Sequence, residues 1–234
     1  MKKIISIHQP NFFPWLPTLV KEAAADVFIV FDHVEFSKNG WTNRCRYSTG
    51  NNDAYLTLPV KKIDTSLPIN QVRIGGSERD YKKISKTFAM LSNKLPGKKI
   101  VEEIWKNVEK EITPGSSLSN ANILINRQIN KLLKIQTERL YSSSDRQIKN
   151  LRKSDLVEEV VNKHNGGIYL TGEGGMMYLK KEFQNKCILV NPKALGLLPH
   201  EINAIDFICH HGENSLKRFE SIVENFRKEH LDEL

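Results

Sequence analysis

The amino-acid sequence predicts an α/β fold: a mostly parallel, Rossmann-like sheet with a small antiparallel β insertion and a helical middle segment. Three observations support this class. Residues 3–33 read as strand, loop, helix and strand, the unit that crosses over into a parallel sheet. Residues 41–60 read as two strands joined by a Gly-Asn-Asn-Asp turn. A helical stretch over 78–135 follows, and alternating strands and helices return after residue 139.

Local patterns justify the elements in the first third of the chain. The strand at 3–8 is rich in Ile, and the strand at 27–31 (VFIVF) is apolar throughout, as buried parallel strands are. Between them, apolar residues at helical spacing predict a helix over 16–25. Antiparallel strands are expected at residues 41–49, 55–60 and 71–74, and a turn at 50–53 joins the first two.

The later elements follow from caps and breakers. Ser77, followed by acidic residues, reads as a helix N-cap, and Asn165 followed by two glycines reads as a helix end. Prolines and glycines near residues 96 and 114 interrupt the helical stretch. The predicted helices cover 78–94, 98–111, 117–135, 154–163, a segment beginning near Met176, 202–211 and 213–229, and the predicted strands cover 139–142, 168–171 and 187–190.

Length and composition indicate a globular protein. With 234 residues, 39% hydrophobic and 26% charged, the chain fits one α/β domain over 1–234, with a hairpin insertion at about 40–75 and a helical segment at about 77–136. No apolar stretch approaches the roughly 20 residues of a membrane helix, and the apolar run after the first lysines is too short for a signal peptide. We therefore expect a cytoplasmic protein without a membrane span.

The charge balance favours a small anionic ligand. The net charge is +8, but the lysines lie in scattered pairs, and no nucleic-acid-reading motif is present. Three widely spaced cysteines argue against a disulfide framework or a zinc site, and we predict no metal and no cofactor. Cys45, between two arginines, is either an activated nucleophile or, the interpretation we favour, a strand residue facing the core.

Polar residues follow three predicted parallel strands. His8 and Gln9 end the first strand, Asp32 follows the second, and the segment 171–175 (TGEGG) follows a later one. Ligands of parallel α/β sheets bind outside the carboxyl ends of the strands, so these points are expected to converge. His8 is then a general base oriented by Asp32, a phosphate ligand or a structural histidine. The glycines at 172, 174 and 175 indicate either a phosphate site at a helix N-terminus or a close backbone approach.

The segment 37–44 (SKNGWTNR) combines cations, amides and an aromatic ring. Lys38 and Arg44 suit phosphate or carboxylate, Asn43 suits hydroxyls, and Trp41 suits the face of a base or sugar. The alternative is a solvated hairpin entry anchored by the tryptophan.

Several stretches resemble the WbqC-like family. The N-terminal signature is carried by IHQPNFFPW, KEAAADVFIVFDHVEFSKNGWTNRCRY and LTLPVKK, and the later family segments by IYLTGEGGMMYL and AIDFICHHG. The family is associated with clusters for bacterial O-antigen, capsule and other surface-glycan biosynthesis, so the resemblance implies a pathway. The chain departs from the family pattern at 191–195 and at Asn203, where a Ser is expected.

Together these observations predict a transferase that moves an acyl or aminoacyl group to a nucleotide-linked amino sugar. His8 is the expected base, oriented by Asp32, with Lys38 also in the catalytic group. The donor is unknown and could be a thioester or a carrier protein. The expected substrate-binding residues are Gln9, Asn11, Trp15, Lys21, Trp41, Asn43, Arg44, Lys61, Tyr169, Gly172, Gly174 and Gly175. A nucleotidyltransferase-like enzyme and a non-catalytic scaffold of the same pathway remain alternatives.

Overall fold

The computed structural model describes residues 2–38, 40–48, 52–64, 66–91, 95–145, 151 and 153–232. Its main sheet has five parallel strands in the order β5-β2-β1-β6-β7, and a separate antiparallel pair forms a hairpin. This arrangement confirms the predicted α/β fold class. The strands are β1 (Lys3–His8), β2 (Val27–Val30), β3 (Arg44–Ser48), β4 (Asp53–Thr57), β5 (Glu138–Tyr141), β6 (Gly166–Thr171) and β7 (Cys187–Leu189).

The helices begin at recognisable N-terminal signals. Pro17 occupies the first turn of α1, a capping box of Ser77 and Asp80 starts α2, and the side chain of Asn203 accepts from the amide of Asp206 at the start of α8. The helices are α1 (Leu16–Ala24), α2 (Glu78–Ala89), α3 (Lys98–Val108), α4 (Leu118–Leu132), α5 (Lys153–Lys163), α6 (Glu173–Met176), α7 (Lys181–Gln184), α8 (Ala204–His211) and α9 (Ser215–His230).

The antiparallel insertion is smaller than predicted. Residues 41–43 form a turn, because their carbonyls serve other segments: Trp41 accepts from the amide of Phe12, and Asn43 accepts from the amide of Leu58. The prediction of a strand at 71–74 is wrong. A 3₁₀ turn ends at Gln71, and isolated bridges then join Ile74 to Val60 and Arg73 to Ser117. Part of the predicted 50–53 turn lies outside the described residues.

Alternating side chains of the parallel sheet feed two hydrophobic cores. On β1, Ile4 packs against the core built with α1, α2, α3, α4, α8 and α9, whereas Ile5 and Ile7 face the core shared with α5 and α7. On β6, Leu170 and Tyr169 divide in the same way, as the two-residue period of a strand requires. Helices therefore cover both faces of the sheet. Among the described residues, no helix is both long and apolar enough to cross a membrane.

Gly97 is a position where the fold excludes any side chain. Its amide donates to the carbonyl of Cys209, and a Cβ added here would lie 1.8 Å from the carbonyl oxygen of Ile208. Because backbone must move, we expect Gly97→Ala to lower the free energy of unfolding by about 3 kcal/mol. Denaturant unfolding measures this. Gly174→Ala is the matched control, since no heavy atom lies within 4 Å of that Cβ; equal stability of the two variants would contradict the packing.

Candidate active site

The candidate site lies where three parallel strands end. β1 pairs with β2 on one side and with β6 on the other, so His8, the residues after Val30 and the segment after Thr171 come to one edge of the sheet. The chain moves outward from β1 in opposite directions to reach β2 and β6, which makes this edge a topological switch point. A cleft of about 540 Å³ opens there.

The loop after β1 is held in place by the larger core and by α4. Phe12 and Phe13 are fully buried in the larger core, and Phe13 takes a left-handed backbone conformation with φ 48°. Asn122, buried on α4, donates from Nδ2 to the carbonyls of both Pro10 and Thr42 at 2.7 Å. The two aromatic residues of this loop are therefore core anchors. Asn122 was missed from the sequence, although Asn122, Asn126 and Asn130 recur every four residues on α4, and such a row of amides on a helix with buried apolar residues is the signal that marks it.

His8 presents a neutral imidazole to the cleft. Its Nδ1 lies 2.9 Å from the carbonyl oxygen of Gln9. A carbonyl can only accept, so Nδ1 carries the proton and Nε2 keeps its lone pair. Burial, followed by the positive charge of Lys21, lowers the pKa of His8 to about 3. The ring is therefore uncharged at neutral pH and can accept a proton or a hydrogen bond at Nε2.

Lys21 is a buried cation in the wall of the same cleft. It lies in the last turn of α1 and is only 3% exposed. Its ammonium has neither a hydrogen bond nor an ion pair among the described residues, and the residue lines the cleft. Burial lowers the pKa of its ammonium to about 8. Buried charges are normally paired, so an unpaired ammonium facing a cleft indicates a site for negative charge.

The structure brings most of the expected site residues to this cleft. Those that line it are His8, Gln9, Asn11, Lys21, Trp41, Tyr169, Gly172, Gly174 and Gly175. Thr171, in the predicted segment 171–175, lines it as well, and so does Tyr178, which lies in the family-matching stretch IYLTGEGGMMYL but was not proposed as a site residue. Tyr169 is 3% exposed, and burial raises the pKa of its phenol. Its ring packs on Phe183 in the second core, so it forms a wall of the cleft.

A second groove of about 270 Å³ adjoins the cleft. Trp15, the remaining aromatic candidate, lines this groove, and its ring centre lies 5.1 Å from that of Trp41. Glu173 and Asn191 also line the groove. The residues that line both the cleft and the groove are His8, Asn11, Lys21, Trp41, Gly172 and Gly174.

The sequence predicted a helix beginning near Met176, after the glycines, but α6 begins at Glu173, within the glycine segment, and ends at Met176. α6 has four residues, a single turn. The close-approach interpretation holds at Gly175, where a Cβ would lie 2.2 Å from Oγ1 of Thr171. Gly174 has open space around it, so this residue keeps the mouth of the cleft wide.

The predicted contact between Asp32 and His8 is not formed. The Asp32 carboxylate accepts from the Ser142 hydroxyl at 3.1 Å and from the amide and hydroxyl of Ser143 at 2.8 and 2.6 Å. Sequence reasoning could not see this partner, because the serines lie 110 residues away at the end of β5. Asp32 thus ties β2 to the β5 end of the sheet, and the orientation of His8 comes from Gln9.

We expect Asp32→Ala to destabilise the protein by about 1–3 kcal/mol, because it removes the acceptor of the Ser142 hydroxyl and of the amide and hydroxyl of the half-buried Ser143. The same change should leave the NMR-detected pKa of His8 where it is. Lys21→Met, by contrast, should raise that pKa, since it removes a neighbouring positive charge. A fall of the His8 pKa in the Asp32 variant would instead indicate the contact that the sequence predicted, because a carboxylate beside an imidazole raises its pKa.

Four further residues of the predicted site, Lys38 from the catalytic group and three from the binding group, lie outside the cleft lining. Lys38 and Lys61 are exposed. Asn43 donates from Nδ2 to the carbonyl of Leu58 at 3.0 Å and so fixes the hairpin entry. The guanidinium of Arg44 lies 5.4 Å from the ring centre of Trp41 and 5.0 Å from that of Tyr55. The hairpin-entry interpretation therefore describes Asn43 and Arg44, and Arg44 supports the Trp41 wall through cation–π contacts.

Cys45, the nucleophile candidate, and Asp206, in the family-matching stretch AIDFICHHG, are both structural. Cys45 is 2% exposed, and burial, with the nearby Asp206, raises the pKa of its thiol well above the usual range. The core interpretation of Cys45 is therefore correct. Asp206 accepts from the amide of Ser48 at 2.9 Å and from the side chain of Asn203 at 2.8 Å. Asp206 thus joins α8 to the hairpin, and Asn203 caps that helix.

Within the described part of the chain, one cluster with metal-ligand side chains is found, and it lies away from the cleft. His200, Glu201 and His211 bring ligand atoms within 4.8 Å of one another. The Glu201 carboxylate, however, already accepts from Nε2 of His211, from both Nε and Nη2 of Arg218, and from the amide of Leu198. Although burial opposes ionisation, these bonds lower the pKa of Glu201 to about 2. The Arg218 guanidinium therefore already supplies the positive charge that a metal ion would bring to the Glu201 carboxylate.

The fold and the cleft define a parallel α/β protein with a candidate site at the switch point of its sheet. The chain matches the WbqC-like protein family over residues 9–195, and it belongs to that family, which confirms the resemblance. It is 36% identical over 61 residues to the uncharacterized protein Rv1507c of Mycobacterium tuberculosis (strain ATCC 25618 / H37Rv). That match covers 26% of this chain and 26% of the relative, so the chain spans about a quarter of the relative's length. No solved structure matches the chain.

Proposed function

We propose that this protein is a transferase that moves an acyl or aminoacyl group to the amine of a nucleotide-linked amino sugar in surface-glycan biosynthesis. The observation that carries the proposal is the pairing of Lys21 and His8 in one cleft. An unpaired buried ammonium and a neutral imidazole with a free Nε2 are the electrophilic and basic groups that acyl transfer needs. The pathway follows from the family resemblance.

The dimensions and lining of the cleft fit the acceptor. A volume of about 540 Å³ lies within the roughly 300–1,000 Å³ of small-molecule sites. Trp41 and Tyr178 supply aromatic faces for a sugar or base, and Gln9 and Asn11 supply amides for hydroxyl groups. The overall charge of +8 attracts a diphosphate to the protein.

The chemical step uses the two site groups as follows. The acceptor nitrogen attacks the carbonyl carbon of an acyl thioester, a C–N bond forms, and the carbonyl oxygen becomes an oxyanion that Lys21 stabilises. Nε2 of His8 takes the proton from the attacking nitrogen. When the intermediate collapses, the C–S bond breaks and His8 returns the proton to the leaving thiolate. The products are an amide and a free thiol.

The bound substrate improves His8 as a base. Burial and the charge of Lys21 keep the pKa of His8 at about 3 in the free protein. A diphosphate or an oxyanion beside the ring stabilises the imidazolium and raises that pKa. The base therefore gains strength when the anionic substrate is in place.

The proposal is tested by incubating the protein with UDP-, dTDP- and GDP-linked amino sugars, each with acyl and aminoacyl thioesters, and detecting the amide product by mass spectrometry. We expect one sugar–donor pair to give product with the wild type. The absence of product from every pair would overturn the proposal. Release of pyrophosphate from ATP or CTP would instead favour the nucleotidyltransferase alternative.

A further inference from the structure

The smaller groove beside the cleft has walls of contrasting chemistry. One wall is aromatic and belongs to the start of α1, where Trp15 lies against Trp41 with ring centres 5.1 Å apart. Glu173 and Asn191, which follow β6 and β7, add polar groups to the lining. The groove's volume of about 270 Å³ is half that of the cleft and below the roughly 300 Å³ where drug-sized sites begin. The groove therefore suits a ligand of about the size of an amino acid.

A negative charge is fixed on the open side of the groove. Glu173 is exposed, and one of its carboxylate oxygens accepts from Nδ2 of Asn191 at 2.7 Å. The Asn191 side chain is itself held, because its Oδ1 accepts from the amide of Ala194 at 2.7 Å. The carboxylate is thus positioned by a neighbour that cannot turn freely, and it presents a site for a cationic amine.

A positive charge lies at the inner end of the groove, where it joins the cleft. Lys21 lines both spaces and is 97% buried. Its ammonium lacks a hydrogen bond or ion pair within the described part of the chain. His8 is there as well, so this end of the groove is the reacting end. A ligand that spans the groove meets a carboxylate on the open side and an ammonium at the reacting end.

We propose that the smaller groove is the donor subsite and that it recognises an aminoacyl group. The α-ammonium of the aminoacyl group binds Glu173, its carbonyl oxygen binds Lys21, and its side chain lies against Trp15 and Trp41, which also favour a nearby cation. This inference rests on the proposed function, and it selects the aminoacyl donor over a plain acyl donor. The amino sugar then occupies the larger cleft.

The test uses L-alanine and L-phenylalanine as probes, with their N-acetyl and amide derivatives, and measures dissociation constants by saturation-transfer NMR and calorimetry. We expect the free amino acids to bind and the N-acetyl forms, which lack the cation, to bind about fivefold more weakly, the size of an exposed ion pair. The amides, which lack the anion, should bind about a hundredfold more weakly, because Lys21 is buried.

Two variants assign each preference to its residue. Glu173→Gln should abolish the preference for the free amine, whereas Glu182→Gln, an exposed glutamate on α7 outside the groove, should keep it. Lys21→Met should abolish the preference for the carboxylate. Equal binding of free and N-acetyl amino acids, or no binding of any probe, would overturn the inference.

The inference and the proposed function can fail separately. Amide formation from plain acyl thioesters, without amino-acid binding, would overturn the aminoacyl subsite and leave the transferase standing. Amino-acid binding that depends on Glu173 and Lys21, without transfer to any amino sugar, would support the groove and overturn the transferase.

Discussion

Lys21→Met is expected to make the protein more stable and to abolish its activity. The folded protein holds the pKa of Lys21 at about 8, against 10.5 for an ordinary lysine, because the ammonium is buried. At 1.4 kcal/mol per pKa unit, the charged lysine costs about 3 kcal/mol at neutral pH. Met fills a similar volume without the charge. For a domain of this length, the melting temperature should rise by roughly 6 °C or more.

The stability difference between the wild type and Lys21→Met should depend on pH. Between pH 8 and 10.5 the unfolded chain binds a proton that folded Lys21 does not, so the stability of the wild type rises with pH in this range. The advantage of Lys21→Met should be full below pH 8 and disappear above pH 10.5. Lys131→Met, on an exposed lysine in the last turn of α4, is the matched control and should show neither effect. A destabilised, active Lys21→Met protein would contradict a functional role for the charge.

His8→Asn is expected to lower the rate of transfer by about 10²–10⁴-fold, the usual contribution of a positioned general base. The Asn amide can still donate to the Gln9 carbonyl in place of Nδ1, so the loop should keep its shape. What the variant loses is the lone pair of Nε2. Turnover with the amino sugar and thioester measures the effect, and His164→Asn, a histidine outside the cleft, is the control.

The same variant should change the acid stability. Because the folded pKa of His8 is about 3 and the ordinary value is 6.5, the unfolded chain takes up a proton between these values that the folded protein does not. The wild type therefore loses stability as the pH falls from 6.5 towards 3, and His8→Asn should lose less. Full turnover in His8→Asn would remove His8 from the chemistry.

The position of the site followed from periodicity, but its internal contacts did not. Short apolar strands that end in His8 and before Gly172 predicted a parallel sheet and a common edge, since both features depend on local pattern. The partner of Asp32 depended on the pairing of β2 with β5, which brings Ser142 beside it across 110 residues. No local pattern in the chain carries that register.

Burial was the second quantity that the sequence could not supply. Lys21 and Lys38 are both lysines in family-matching segments, yet one is 3% exposed in the cleft and the other lies in solvent. Arg44 reads as a phosphate ligand, but two aromatic rings from different parts of the hairpin hold it. The chemistry of a cation depends on what packs around it, and that is decided by tertiary contacts.

The central claim is that the cleft at the ends of β1, β2 and β6 holds the anionic substrate. The most direct measurement is an NMR titration of the protein with UDP- and dTDP-linked amino sugars, following the ring signals of histidine and tryptophan. We predict that the signals of His8 and Trp41 move, while those of His164, in a separate cavity, and of Trp105, buried in the core, stay in place. Movement of the His164 signal alone, or of none, would contradict the claim.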